Sequence, residues 1–240
     1  MVPSKFKACL FDMDGTLLNT EDLYTEATSD LFKEFGKGPL TWDVKIKLQG
    51  LPGLEATKII IDHYQLPITA EEFAKKAMEI QATKWHRANY LPGAFEILAH
   101  LKQNGIPIAL GTSSNKLNFE RKTNHLEGFT DFFGDHIVTG DDTRIPKGKG
   151  KPEPYIWYVC LGSLNEHRKS QNLEPIKPEE CLVFEDGIPG VLSGLAADAH
   201  VIWVPHPEAH AYIGPVKEKL AGRKMQILNS LTEFPIERWV

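Results

Sequence analysis

Cysteine is scarce, with only Cys9, Cys160 and Cys181 in 240 residues. Their number is odd and their neighbours are apolar, so the chain reads as one with buried thiols for a reducing compartment, not as a disulfide framework. No metal-type spacing joins them. Long apolar runs are also missing. Ile59-Ile60-Ile61 and Val201-Ile202-Trp203-Val204 fall far short of the about 18 residues that a membrane span needs. The stretch through Gly15 has neither a long apolar core nor a small-residue cleavage site, and no Asn-x-Ser/Thr tripeptide occurs. The expectation is a cytoplasmic protein, the nucleus being a second compartment to consider, with no membrane partner. A basic excess is lacking as well: 27 Lys and Arg stand against 32 Asp and Glu, a net charge of -5. That excludes counterion-driven binding to a nucleic-acid polymer. Repeats and low-complexity tracts are absent.

What remains is ordinary globular composition, 42% hydrophobic and 25% charged, and a length that suits one large domain or a domain carrying an insert. Short apolar segments with β-branched or aromatic members recur at Phe6 to Phe11, Ile106 to Leu110, His136 to Val138, Cys181 to Phe184, Val201 to Val204 and Gln226 to Leu228. Each ends in a polar or Gly-containing turn and reads as a strand. Between most of them run apolar residues at three- and four-residue spacing, such as Ala94, Ile97, Leu98 and Leu101, which is the pattern of an amphipathic helix. The alternation predicts an α/β fold, a Rossmann-like parallel sheet with helices on both faces.

The stretch between Phe11 and Ile106 carries no strand pattern and is far longer than a crossover helix needs. Helical patterns at Leu23 to Phe35, Leu54 to Tyr64 and Ala70 to Arg87 are broken by Gly36, Gly38, Pro39, Pro52, Gly53 and Pro67. A helical insert after the first strand is expected over 20–88, with a core formed by 1–19 and 89–240. The junctions at Leu17 to Thr20 and Ala88 to Gly93 would be hinges. The polar segment Gly162 to Glu180 reads as a solvated helix end and loop.

Chemistry gathers at strand ends. The first strand runs into Asp12-Met13-Asp14-Gly15-Thr16; carboxylates two apart at a strand end project the same way, and their mutual repulsion calls for a cation or a shared proton. Alone, an Asp-x-Asp-Gly is more often a turn. The second strand ends in Thr112-Ser113-Ser114-Asn115, hydroxyls and amides at a helix start, which suit a phosphate but also suit a plain N-cap. Lys147-Gly148-Lys149-Gly150-Lys151-Pro152 follows the third strand; a lysine there could offset phosphoryl charge, or the run could be a solvated basic loop. The fourth strand ends in Glu185-Asp186-Gly187, a second acidic pair suited to a hard cation. Each signal is weak, and their order across successive strands makes them strong together.

Taken together, the run from Phe11 to Leu17 with Thr112, Lys151-Pro152 and Glu185-Asp186 resembles the haloacid dehalogenase superfamily of phosphotransferases over almost the whole chain, and the insert is similar to that family's C1 helical cap. Gly105 to Ser114, Gly140-Asp141-Asp142 and Cys181 to Asp186 most resemble the pseudouridine-5'-phosphatase branch and its fungal relatives. The resemblance implies a Mg²⁺-dependent phosphatase of small phosphorylated metabolites, nucleoside 5'-monophosphates or sugar phosphates, acting as a monomer or weak homo-oligomer. By the same resemblance Asp12 is the nucleophile and Asp14 the acid and base. Thr112 and Lys151 join them as catalytic residues; Ser113, Ser114, Asn115 and Gly15 surround the phosphate. Mg²⁺ would sit on Asp12, the Asp14 carbonyl and Asp186, with Glu185 adjacent.

Lys47 to Gly53 resembles the family's specificity loop, making Gln49 and Gly50 candidates for the leaving group, although Gly and Pro there build an ordinary helix turn equally well. Asn19 replaces an Asp common in C1-capped relatives. Thr16 and Tyr24 stand where β-phosphoglucomutases carry a smaller apolar residue and a cap histidine, which favours a hydrolase over the alternative of a sugar phosphomutase. A phosphoryl-accepting module of the receiver type is about half this length and lacks the insert, and a catalytically silent relative would not keep every motif residue. Trp85 reads as insert core, with His86 and Arg87 solvated. Pro207 argues against a His206/His210 metal pair, and Cys9 reads as core.

Overall fold

In the computed structural model, which describes residues 6–48 and 53–238, the expected strands all form, each within a residue or two of its expected bounds. They are β1 (Ala8–Phe11), β2 (Ile108–Gly111), β3 (Ile137–Val138), β4 (Cys181–Glu185), β5 (His200–Trp203) and β6 (Met225–Ile227). All pairings are parallel, in the order β3-β2-β1-β4-β5-β6. Side chains of a strand alternate between faces, and the core divides accordingly. Cys9, Phe11, Ile108, Leu110, Leu182 and Phe184 belong to one apolar cluster; Ala8, Leu10, Ala109, Cys181 and Val183 belong to another.

Helices cover both clusters, as expected of a parallel sheet. Ala94, Ile97, Leu98 and Leu101 of one helix and Phe119 of another close the first. Ile156, Trp157, Cys160, Leu161 and Leu164, with Val191, close the second. In chain order the helices are α1 (Thr20–Lys33), α2 (Trp42–Leu48), α3 (Gly53–Tyr64), α4 (Ala70–Ala82), α5 (Ala94–Gln103), α6 (Lys116–Thr123), α7 (Tyr155–Ser170), α8 (Ile188–Ala196) and α9 (Gly214–Lys219). None among the described residues is long and apolar enough to cross a membrane.

Two details depart from the sequence pattern. The helix expected to run from Ala70 to Arg87 stops at Ala82, where Thr83 turns its hydroxyl onto the Ile80 carbonyl, and Trp85–Arg87 forms a separate 3₁₀ turn. Helix α2 was not expected. The segment from Gly162 follows its reading as a helix end and loop: α7 ends at Ser170, and the return is tied down by the Asn165 amide, which both donates to and accepts from Ile176.

Helices α1 to α4 follow β1 and share an apolar cluster of their own, formed by Leu31, Phe32, Leu40, Val44, Ile60, Leu66, Phe73 and Ala77. The two ends of this helical segment lie side by side. Leu91 N donates to Leu17 O at 2.8 Å, Asn19 N to Asn89 O at 3.1 Å, and Asn89 N to the Asn19 side chain at 2.8 Å.

Trp203 ties the second cluster to the carboxyl edge of the sheet, because its fully buried indole donates Nε1 to the Asp186 carbonyl at 2.7 Å. Trp203→Phe keeps most of the apolar mass but orphans that carbonyl, an expected loss of about 1–3 kcal/mol. Urea denaturation checks the figure; an unchanged midpoint would mean that the hydrogen bond contributes nothing.

Candidate active site

The strand order reverses between β2 and β4 on either side of β1, and the crevice at such a reversal, outside the carboxyl ends, is where parallel sheets bind ligands. Register does the rest. Phe11 is level with Phe184 on one side and Leu110 on the other, so the next residues, Asp12, Glu185 and Gly111, emerge together. The Asp12 amide donates to the Phe184 carbonyl at 3.0 Å and so continues the ladder one residue past the strand.

Lys151 reaches into this edge. Its Nζ donates to Asp12 Oδ1 at 2.5 Å and to the Gly111 carbonyl at 3.0 Å, pairs with Glu185 Oε1 at 2.7 Å, and sits 4.7 Å from the centre of the Trp157 ring. Asp12, Glu185 and Asp186 each present a carboxylate oxygen within 4.8 Å of the others. Three carboxyl groups therefore crowd one ammonium, which pairs with two of them. Burial pushes Asp12 up, and Asp14 adds to the rise against the pull of Lys151. Burial also pushes Glu185 up, to about 8, with Asp12 contributing. Asp186 lies well above the carboxylate range through burial and the charges of Glu21, Asp12 and Glu185. Burial works to lower Lys151, but Asp12 and Glu185 outweigh it and hold the ammonium charged. Such a cluster titrates as a unit.

Asp14 faces different partners. Its Oδ1 accepts from the Thr20 hydroxyl at 2.6 Å and from Lys122 Nζ at 2.5 Å; its Oδ2 accepts from Ser114 Oγ at 2.8 Å and from Thr112 Oγ1 at 3.2 Å. Burial would raise this carboxyl, but Lys122 and the hydroxyls outweigh it and hold it below its ordinary value. Gly15 follows with φ +79°, a conformation side chains resist, and a Cβ there would collide with the Asp186 carboxylate.

Two cavities meet at Asp14 and Ser113. One, about 730 Å³, is lined by Asp12, Asp14, Ser113, Lys151, Glu185 and Asp186 among others. The other, about 510 Å³, is lined by Asp14, Glu21, Tyr24, Asn115, Asn118 and Asp141 among others. The structure thus gathers most of the expected residues. Thr112 and Ser114 are present, but their hydroxyls serve Asp14. The Asn115 side chain caps α6 by accepting from Asn118 N at 2.9 Å, the plainer of its two readings. Asn19 binds the Asn89 backbone at the junction. Gln49 and Gly50 lie outside the described residues. Trp85 is buried beside Leu23 and Ala88, Arg87 pairs with Glu26 at 2.8 Å, and His206 stacks on Trp42 instead of pairing with His210.

Sequence reading missed Lys122. Arg121-Lys122-Thr123 at a helix end looks solvated, yet the Lys122 side chain is fully buried. The signal available was its spacing of three from Phe119, which places both on the inner face of α6. It also missed Glu21, which pairs with the buried Lys45 at 2.7 Å and bears electrostatically on Asp186.

Comparison with known proteins adds the ancestry. Residues 6–198 match the family model described as haloacid dehalogenase-like hydrolase. The chain is 57% identical over 237 residues to a probable pseudouridine-5'-phosphatase of Saccharomyces cerevisiae, covering 99% of this chain and 98% of that one. It is 34% identical over 236 residues to a probable pseudouridine-5'-phosphatase of Drosophila melanogaster, covering 98% and 94%. Among solved structures, an Entamoeba histolytica HAD hydrolase of family IA, variant 3, superposes with a TM-score of 0.71 at 24% identity over 98% of both chains and shares the fold.

The crowded carboxylates make a pH prediction. Glu185, raised to about 8 in the folded chain, holds a proton that the unfolded chain has released above about 4.5. Its contribution to stability is therefore present at low pH and lost as pH rises towards 8. In chelator-treated protein the melting temperature should fall more steeply between pH 6 and 8 than in Glu185→Gln, measured by thermal denaturation. Equal slopes would show that Glu185 is not the proton-holding group.

Proposed function

This chain belongs to the haloacid dehalogenase-like hydrolase family, and from that premise we propose that it is a Mg²⁺-dependent phosphatase of small phosphate monoesters, with a nucleoside 5'-monophosphate such as pseudouridine 5'-phosphate as its substrate. The observation that carries the reading is the meeting of Asp12, Lys151, Glu185 and Asp186 on one cavity at the switch point of the sheet. The substrate follows the names of the yeast and fly relatives.

Asp12 is the nucleophile. Its carboxylate oxygen bonds to phosphorus as the bond to the leaving oxygen breaks, giving an aspartyl-phosphate. Lys151 holds Asp12 in place and offsets the charge that gathers on the phosphoryl oxygens. Ser113, which lines both cavities, bounds the phosphoryl group on the side of β2. Asp14 gives a proton to the leaving oxygen and takes one from the water that then hydrolyses the aspartyl-phosphate. Its lowered value suits the second role at rest; the first role requires that it gain a proton as the ester binds.

The donor set fits Mg²⁺: only hard oxygens, from three carboxyl groups gathered beside a single ammonium. Asp12, Glu185 and Asp186 would hold the ion with the Asp14 carbonyl, and when bound it supplies positive charge to the phosphoryl group. The division into a core of 1–19 and 89–240 and a helical cap of 20–88 is part of the same proposal. Its support is the separate apolar cluster of α1 to α4 and the adjacency of the segment's two ends. The cap would cover the leaving group and exclude bulk water.

Phosphate release tests the reading, with pseudouridine 5'-phosphate, other nucleoside 5'-monophosphates and sugar phosphates as substrates. The first is expected to be preferred, activity to disappear with chelator and return with Mg²⁺, and Asp12→Asn to lower kcat by about 10⁴-fold or more. Equal weak turnover of all esters would refute the substrate assignment. Full activity of Asp12→Asn would refute the mechanism.

A further inference from the structure

Lys122 is an ammonium with no solvent exposure, and burying such a charge is costly unless every proton finds a partner. Here each does. Lysine has three donors, and the acceptors are Asp14 Oδ1 at 2.5 Å, Ser114 Oγ at 2.8 Å and Tyr24 OH at 2.9 Å. Ser114 in turn donates to Asp14 Oδ2, which closes a ring of bonds around the carboxylate. The rings of Tyr24 and Trp85 lie over the same ammonium at 4.6 and 4.7 Å. With its donors used, Lys122 has none left for a phosphoryl oxygen, so whatever it does for the reaction it does through Asp14. The partners also come from two parts of the chain. Asp14 and Ser114 follow β1 and β2, whereas Tyr24 lies on α1 and Trp85 in the 3₁₀ turn that ends the helical segment.

We propose that Lys122 is a positioning residue for leaving-group protonation: it fixes the Asp14 carboxylate beside Asp12 and makes that position depend on the seating of Tyr24 and Trp85. Asp14 is thereby placed for proton transfer only while the helical segment is docked. A methionine would fill the same space without the desolvation cost, so packing alone does not call for the charge. The inference rests on the phosphatase reading above.

The test compares kcat/KM for two esters at saturating Mg²⁺, because this ratio reports the steps up to release of the first product. A nucleoside 5'-monophosphate needs a proton on its departing alkoxide, whereas p-nitrophenyl phosphate releases a stable phenolate that does not. Lys122→Met should lower kcat/KM about 10²-fold for the first and less than about 5-fold for the second. Asp14→Asn should show the same split, and the double variant should be no worse than Asp14→Asn alone. Tyr24→Phe removes only one acceptor of Lys122 and should give the same split at smaller size; it serves as the test if Lys122→Met does not fold, as judged by circular dichroism. Equal losses on both esters, or a Lys122 effect that multiplies fully with that of Asp14→Asn, would overturn the proposal. A wild-type protein that hydrolyses neither ester would overturn the phosphatase reading and this inference with it, whereas an active wild type with equal losses overturns the inference alone.

Discussion

The organising constraint is the shortage of positive charge at the carboxyl edge of the sheet. Lys151 is shared by Asp12 and Glu185, and Asp186 beside them has no ammonium within bonding distance among the described residues. Parallel register forces this crowding, because strands that end level deliver their following residues to one place. A fold that concentrates like charge in a buried position gives up stability there, and such an expense is retained where a ligand makes it good. The loop carrying Lys151, the Gly15 turn and the Trp203 bond to Asp186 all serve to keep those charges at fixed separation.

The two aspartates of the first motif sit two residues apart yet occupy unlike surroundings. Asp12 lies among acids and is raised; Asp14 lies among a lysine and three hydroxyls and is lowered. Neighbouring carboxyls with opposed environments are what a division of labour between bond formation and proton transfer requires. The two cavities follow the same division: Lys151 and the acid cluster border one, while Tyr24, Asn118 and Asp141 border the other.

Much of this was legible in the sequence because it is written locally. A strand and the residues just after it are contiguous, so Asp12, Asp14, Lys151, Glu185 and Asp186 announce themselves by position, and the period-2 and period-3.6 patterns locate the sheet and its helices. What escaped depends on distant packing. Lys122 gains its meaning from Asp14 and Tyr24, which lie far away in the chain, and in isolation its run looks like a solvated helix end. The turn of the Thr112 and Ser114 hydroxyls towards Asp14 is likewise visible only in coordinates. Helix α2 is short and Lys-rich, and it forms because Trp42 and Lys45 find His206 and Glu21 across the fold.

The helical segment leaves the sheet at Leu18 and returns at Tyr90, two positions paired as neighbours. For the rest of the chain, then, those helices amount to a loop whose ends are already closed, and closing it adds little entropy cost whatever its length. Changes of length within it therefore cost the register of β1 against β2 and β4 little. On this plan the helical segment can vary in shape while β1, β2 and β4 keep the carboxyl edge of the sheet where it is.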